Sequence, residues 1–224
     1  MPHYRAFVDR LSDAPAAPSL FNPYAGDDAT AAGRRANLAL YLRRMAERRP
    51  SLLLVGEAPG HRGCRRTGVP FTSPAILLAE PSPFGLFGAA AGFASPPGVD
   101  YPTSEATATI LWSALLEMGV LPLLWNALPF HPHRPDAPAS NRTPTTAELA
   151  LGRAALLDLL ALYPVEQIVA VGGKAAGALA RWGIDAARVR HPGHGGKHAF
   201  RRELAAVLAG ALSPTVPARR SSRG

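Results

Sequence analysis

The chain is poor in the residues that staple or ligate. Of its 224 residues one is cysteine, Cys64. That excludes an intramolecular disulfide, a Cys-ligated iron–sulfur cluster and a cysteine-based structural zinc site. Lysine is nearly as scarce: Lys174 and Lys197 are the only two. Neither falls plainly at a pocket position where it would form a Schiff base. No apolar run approaches the ~20 residues of a membrane span. The N-terminus, MPHYRAFVDRL, lacks the apolar core of a secretion signal. The expectation is a cytoplasmic protein with no membrane partner. Acidic residues are outnumbered, 16 Asp+Glu against 24 Lys+Arg, for a formal net charge of +8. Such an excess favours a polyanionic partner. The plain alternative is the composition of a GC-rich genome's product.

What is present is enough for one core. Hydrophobic residues make up 47% of the chain, and the length suits one domain plus tails. The sequence predicts an N-terminal arm over residues 1–28 with a short helix at Tyr4–Leu11. A helix follows at Ala29–Arg48, where Leu38, Tyr41, Leu42 and Met45 share a face. Pro50 stops it. Leu52–Val55 reads as a strand of the buried, parallel type. A helical turn is expected at Pro74–Glu80, a helix at Ser104–Met118 with Gly119 as its stop, and a strand at Pro122–Asn126. Thr146 and Glu148 open a helix to Leu162. Gln167–Val171 is a third strand, Lys174–Trp182 a helix, Ala187–Arg190 a fourth strand and Ala199–Leu212 a last helix. Residues 213–224 read as a disordered basic tail. Strands alternating with helices imply an α/β fold: a three-layer α/β/α sandwich around a four-stranded parallel sheet.

In such sheets ligands bind beyond the carboxyl ends of the strands. Three strand ends are chemically distinctive here. The first opens into Gly56-Glu57-Ala58-Pro59-Gly60, the second ends in Asn126, and the fourth runs into His191-Pro192-Gly193. Glycine lets backbone N–H groups approach a ligand with no Cβ in the way. A fixed Asn amide reads one edge of an amide-bearing base. A His is a donor that suits a developing negative charge. Phe71, after a Gly-Val-Pro bend, can stack on a flat ring. Taken singly, each has a plainer role as a turn, cap or core residue.

The combination resembles the uracil-DNA glycosylase superfamily. "GEAPG" followed by "GVPF" is similar to the first motif of its thermophilic iron–sulfur branch, family 4. "TGVPF" also resembles the single-strand-selective monofunctional branch. "WNALPF" sits where the superfamily carries its base-reading Asn, and "NRTPT" resembles a family 4 landmark. "VGGKAAGAL" and "HPGHGGKH" resemble the third strand with its helix and the second motif. The likeness spans about residues 50–210 in the right order. It implies uracil-containing DNA as substrate, single- or double-stranded, with the base flipped out of the stack. Phe71 would stack on uracil, Asn126 would pair with its N3–H and O4 edge, and His191 would hydrogen-bond O2. Gly56, Ala58 and Gly60 would shape the base pocket. The implied enzyme is a monomeric, monofunctional glycosylase of base excision repair that uses no cofactor.

The sequence departs from the pattern in three places. Family 4 enzymes need four cysteines, so this is a cluster-free chain. Well-known members place Asp or Asn at the position of Ala58 to hold the attacking water, and alanine cannot. Family 4 enzymes share the Glu-Ala pair and carry a further acid that falls at about Gly63 here. Glu57 and His61 are the candidates for water activation. Third, Gly60 stands where some members use Tyr to exclude the thymine methyl, so that space is open. On the DNA face the candidates are Arg62, Arg65 and Arg66 in the first loop. In the last loop they are Pro192, Gly193, His194, Gly195 and Lys197, where small residues and cations suit a phosphate backbone. Two rival readings remain. His191, His194 and His198 have the spacing of a metal hydrolase, though not the helical i, i+4 pairing. A glycosylase scaffold that binds damaged DNA without cutting is kept alive by Ala58.

Overall fold

An apolar run with no polar partner face is stable only where both of its faces are covered. Leu52–Gly56 and Leu123–Asn126 meet that condition, since every residue in both is buried. The computed structural model describes residues 2–14, 17–97 and 103–210. The expected tail at 213–224 lies outside them. In chain order the elements are α1 (Pro2–Ser12), β1 (Leu20–Phe21), α2 (Ala29–Arg48) and β2 (Leu52–Gly56). Then come α3 (Cys64–Thr67), α4 (Pro74–Leu77), α5 (Ala106–Met118), β3 (Leu123–Asn126) and β4 (His131–Pro132). The chain closes with α6 (Thr146–Leu162), β5 (Gln167–Val171), α7 (Gly173–Arg181), β6 (Ala187–Val189) and α8 (Lys197–Leu208). The main sheet is four-stranded, parallel throughout, in the order β3-β2-β5-β6. It is the centre of a three-layer α/β/α sandwich.

The helices start and stop for local reasons. Asp28 caps α2 by accepting from the Thr30 and Ala31 amides, and Arg49 closes it in the left-handed conformation just before Pro50. α6 begins at Thr146, where its sequence signal places it. Thr145 is the cap and Glu148 the reciprocal partner of a capping box. Tyr41, buried on α2, accepts the Leu124 amide through its hydroxyl at 2.8 Å, which ties that helix to β3.

Two features were not legible. The N-terminal segment is no loose arm: Phe7, Val8 and Leu11 of α1 are buried in the main core. Phe7 meets Trp125 edge-on at 5.4 Å between ring centroids. The second feature is a two-stranded antiparallel ribbon of β1 and β4, far apart in sequence and too short to show a period.

Arg142 holds this ribbon to α6. Its guanidinium donates to both Glu148 carboxylate oxygens, at 2.8 and 2.5 Å, and also to the Ser19 and His133 carbonyls. The hydrogen bonds from Arg142 hold the Glu148 carboxyl at about 2. A depressed carboxyl stabilises the fold above its unfolded pKa, and that contribution fades as pH falls through the folded value. Arg142→Ala is therefore expected to cost about 2–3 kcal/mol at pH 7, somewhat less than a fully buried pair. The difference from wild type should shrink between about pH 4.5 and pH 2. Urea melts at pH 7 and pH 3 check it. An equal loss at both values would mean that the ion pair contributes nothing of its own.

Candidate active site

The parallel register sets the floor of the site. Gly56 pairs with Asn126 across β2 and β3, so the two chain exits leave the sheet side by side. They stay joined past the strands. The Ala127 amide donates to the Gly56 carbonyl at 2.8 Å, and the Leu128 amide to the Glu57 carbonyl at 3.0 Å. The loop beyond is pinned from two sides. The Pro59 carbonyl is bonded by the His131 ring at 2.8 Å, and Asn141 Oδ1 accepts the His61 amide at 2.8 Å.

Phe71 comes onto this floor from the Thr67–Thr72 bend. The Thr67 and Thr72 hydroxyls bond each other at 2.7 Å, and Gly68 takes the left-handed turn with φ 78°. Phe71 itself is held at φ 52°, a region that bulky residues avoid. Its carbonyl accepts the Trp112 indole N–H at 2.9 Å, which fixes the backbone from α5. A Cβ built at Gly56 would overlap the Phe71 ring and lie 2.7 Å from Asn126 Oδ1. Glycine at this position is therefore required by the convergence of ring and amide.

His191 faces the floor from the end of β6. A Cβ at Gly172 would lie 3.3 Å from the His191 Cβ, and one at Gly193 only 3.1 Å from its imidazole. These glycines explain why the third and fourth strand ends are so bare of side chains. The Gly193 amide donates to His191 Nδ1 at 3.1 Å. In the neutral ring the proton then sits on Nε2. Burial lowers the pKa of His191, with His194 and Arg190 adding to the effect and Glu105 opposing it. The imidazole is thus kept neutral, with a single N–H to offer.

Together these groups line a cleft of about 600 Å³. Gly56, Glu57, Ala58, Gly60, Phe71, Asn126, His191, Gly193 and His194 all reach its wall. Burial raises the pKa of the Glu57 carboxyl, against a counter-pull from Lys174. At Gly60 a Cβ would meet nothing within 4 Å, so the space beside it is open.

Other expected residues are placed elsewhere. His61 is not on the cleft wall. Its ring turns to His131, 6.1 Å away between centroids. Of the loop arginines, Arg65 is committed to packing, with its guanidinium 4.4 Å over the Phe21 ring. Arg66 reaches the Thr103 hydroxyl at 3.4 Å, and Arg62 is exposed. Pro192 is buried, whereas His194 (φ 52°), Gly195 (φ 76°) and Lys197 are exposed on the lip of the cleft's last loop. The spacing of His191, His194 and His198 makes no ligand set: among the described residues no three His, Cys, Asp or Glu side chains could hold a metal ion together.

Among the cleft residues that sequence reasoning missed are Glu105, Asn141 and Arg142. The "NRTPT" stretch flagged the latter two without a role. Glu105 was hidden inside a helix start assigned to Ser104.

The comparisons with known proteins bear on family and fold. A family model of the uracil DNA glycosylase superfamily matches residues 44–213. Among solved structures, wild-type SMUG2 of Pedobacter heparinus is similar in fold, with a TM-score of 0.60 at 13% identity over 92% of this chain and 97% of that one. No curated protein matches the sequence.

Proposed function

The chain belongs to the uracil DNA glycosylase superfamily, a family of DNA glycosylases, and from that premise we propose that it hydrolyses the N-glycosidic bond of uracil in DNA without cutting the strand. The observation that carries this reading is the convergence of Phe71 and Asn126 over Gly56. A ring face and a fixed amide at right reach of one another make a slot for one planar amide-bearing base. Uracil flipped out of the stack would lie on Phe71. The Asn126 carbonyl would accept its N3–H, and the amide would donate to O4. Cytosine presents the opposite pattern on that edge and would leave both Asn126 groups unpaired, a strong basis for rejection.

Bond cleavage puts negative charge on the leaving base and positive charge on the sugar, as in other glycosyl hydrolyses. His191 Nε2–H is the donor for uracil O2 as that charge develops. Glu57 is the carboxylate in the cleft that takes the proton of the attacking water, since the ring of His61 stands outside. Lys174 and Lys197 are both exposed and neither lines the cleft. This supports a hydrolytic enzyme that leaves an abasic site. The DNA backbone would run past Arg62, His194 and Lys197. The open space at Gly60 supports some tolerance for a 5-methyl group.

The test is an alkali-cleavage assay on labelled oligonucleotides. They carry U opposite G, U opposite A or single-stranded U, with T opposite G and plain cytosine alongside, with and without EDTA. Strand breaks that appear only after alkali, untouched by EDTA and absent from the cytosine control, are the expected result. Tight binding with no base released from any strand would instead favour a damage-binding module. Ala58, a bare methyl on the cleft wall, is the feature that speaks for that second reading.

A further inference from the structure

Two carboxylates reach the cleft wall, Glu57 from the loop after β2 and Glu105 from the start of α5. Glu105 is the cap of that helix. Its Oε1 accepts the Thr107 amide at 3.0 Å and its Oε2 the Ala108 amide at 2.7 Å. Helix caps ordinarily use the shorter Asp, Asn, Ser or Thr. The longer glutamate folds back onto the helix end here, and both oxygens are locked by the two bonds while keeping free lone pairs. Its surroundings place it in the cleft. Its Cγ lies 3.4 Å from where a Cβ on Gly63 would be, so the side chain rests on the loop opposite. The next turn of α5 reaches the other wall, with Thr107 Oγ1 3.6 Å from a Cβ at Gly193. The charge is also felt at His191. Glu105 therefore stands between Gly63 of the first loop and the loop of His191 and Gly193, beside the floor that Gly56, Phe71 and Asn126 make for a base. That is where the sugar of a flipped nucleotide would sit.

We propose that Glu105 is a second catalytic carboxylate, a fixed anion beside the sugar that stabilises the positive charge growing at C1′ in the transition state. The proposal rests on the glycosylase reading above and assigns the part of the site which that reading leaves without a residue. The water oxygen forms the new bond to C1′. The C1′–N1 electron pair leaves with uracil, whose anion is held at O2 by His191 Nε2–H. The water proton passes to Glu57, and Glu105 stays a carboxylate throughout. A preorganised charge that needs no reorientation during the reaction is the most effective kind. The two amide donors of α5 supply that preorganisation.

The experiment compares Glu105→Asn and Glu105→Asp with wild type. Asn and Asp cap helices about equally well, so the pair separates charge from capping. Single-turnover base release is measured with saturating enzyme on U opposite G, with melting temperature as the fold check. The ring protons of His191 are titrated by NMR in parallel. Glu105→Asn is expected to slow release about 100-fold, with little change in melting temperature. Glu105→Asp should recover a large part of the rate. In Glu105→Asn the His191 titration should move to lower pH, because Glu105 is the acidic group facing it while His194 and Arg190 already push it down. An Asn variant as fast as wild type, or Asn and Asp variants equally slow, overturns the proposal and leaves a helix cap only. An unmoved His191 titration overturns the facing geometry. If wild type itself releases no uracil, the failure belongs to the glycosylase reading and takes this proposal with it.

Discussion

Replacing His191 by alanine is expected to slow uracil release by about 10²–10³-fold, roughly 3–4 kcal/mol of transition-state stabilisation, while leaving affinity for uracil-containing DNA nearly unchanged. The argument starts from a single hydrogen bond. Because the Gly193 amide donates to Nδ1, the neutral ring has one N–H, on Nε2, in a residue that lines the cleft. A neutral donor gains little from a ground-state carbonyl and much from an oxyanion, so the loss should appear in the rate and hardly at all in binding. The pH profile sharpens the test. Burial pulls the His191 pKa below the ordinary imidazole value, so no inflection is expected near pH 6.5. Burial raises the Glu57 carboxyl above the usual 4.5. Its ionised form is the one that accepts the water proton, so the rate should climb as pH rises through that value. This acid limb should persist in His191→Ala and vanish in Glu57→Gln. A binding constant that falls as far as the rate would assign His191 to ground-state recognition instead.

The fold was legible because its signals are local and agree with one another. Leu52-Leu53-Leu54-Val55 is too short and too apolar for anything but a covered strand. The last helical face of α2 ends where Pro50 demands it. The base floor was legible because Gly56 and Asn126 terminate adjacent parallel strands, and strand ends carry function in this architecture. What stayed hidden is non-local. The β1–β4 ribbon pairs Leu20 with Pro132, with no periodic pattern at either end. The loop that carries Glu57 and His61 is pinned by a bond from Asn141, a residue eighty positions away. Arg65 looked like a DNA contact because loop arginines often are, but the Phe21 ring lies beneath it. Glu105 is the sharpest case. The sequence predicts a helix start at Ser104, and only the bonds to Thr107 and Ala108 reveal that Glu105 is the cap, on the wall of the cleft.

Gly56→Ala should close the slot for the base. The added methyl has no free direction to occupy. It would overlap the Phe71 ring and press on Asn126 Oδ1 at 2.7 Å. Neither neighbour can yield easily. Phe71 is held at positive φ by the Trp112 indole bonded to its carbonyl, and Asn126 is fixed by the β2–β3 register. Overpacking of this type costs about 1–3 kcal/mol of stability. The larger consequence falls on the slot for the base, which closes or splays by about an ångström. Misplacement on that scale costs on the order of 10² in rate by itself. Losing both the stacking face and the amide pairing should bring the fall in kcat/KM to about 10³ or more, some 4 kcal/mol. Gly60→Ala is the matched control. Its Cβ meets nothing within 4 Å, although Gly60 lines the same cleft. It should melt and turn over uracil close to wild type. Steady-state kinetics and thermal melts on the two variants decide the matter. If Gly56→Ala retains near-wild-type kcat/KM, the base does not lie on Phe71 against Asn126. If Gly60→Ala is equally crippled, the open space beside that residue is where the base goes.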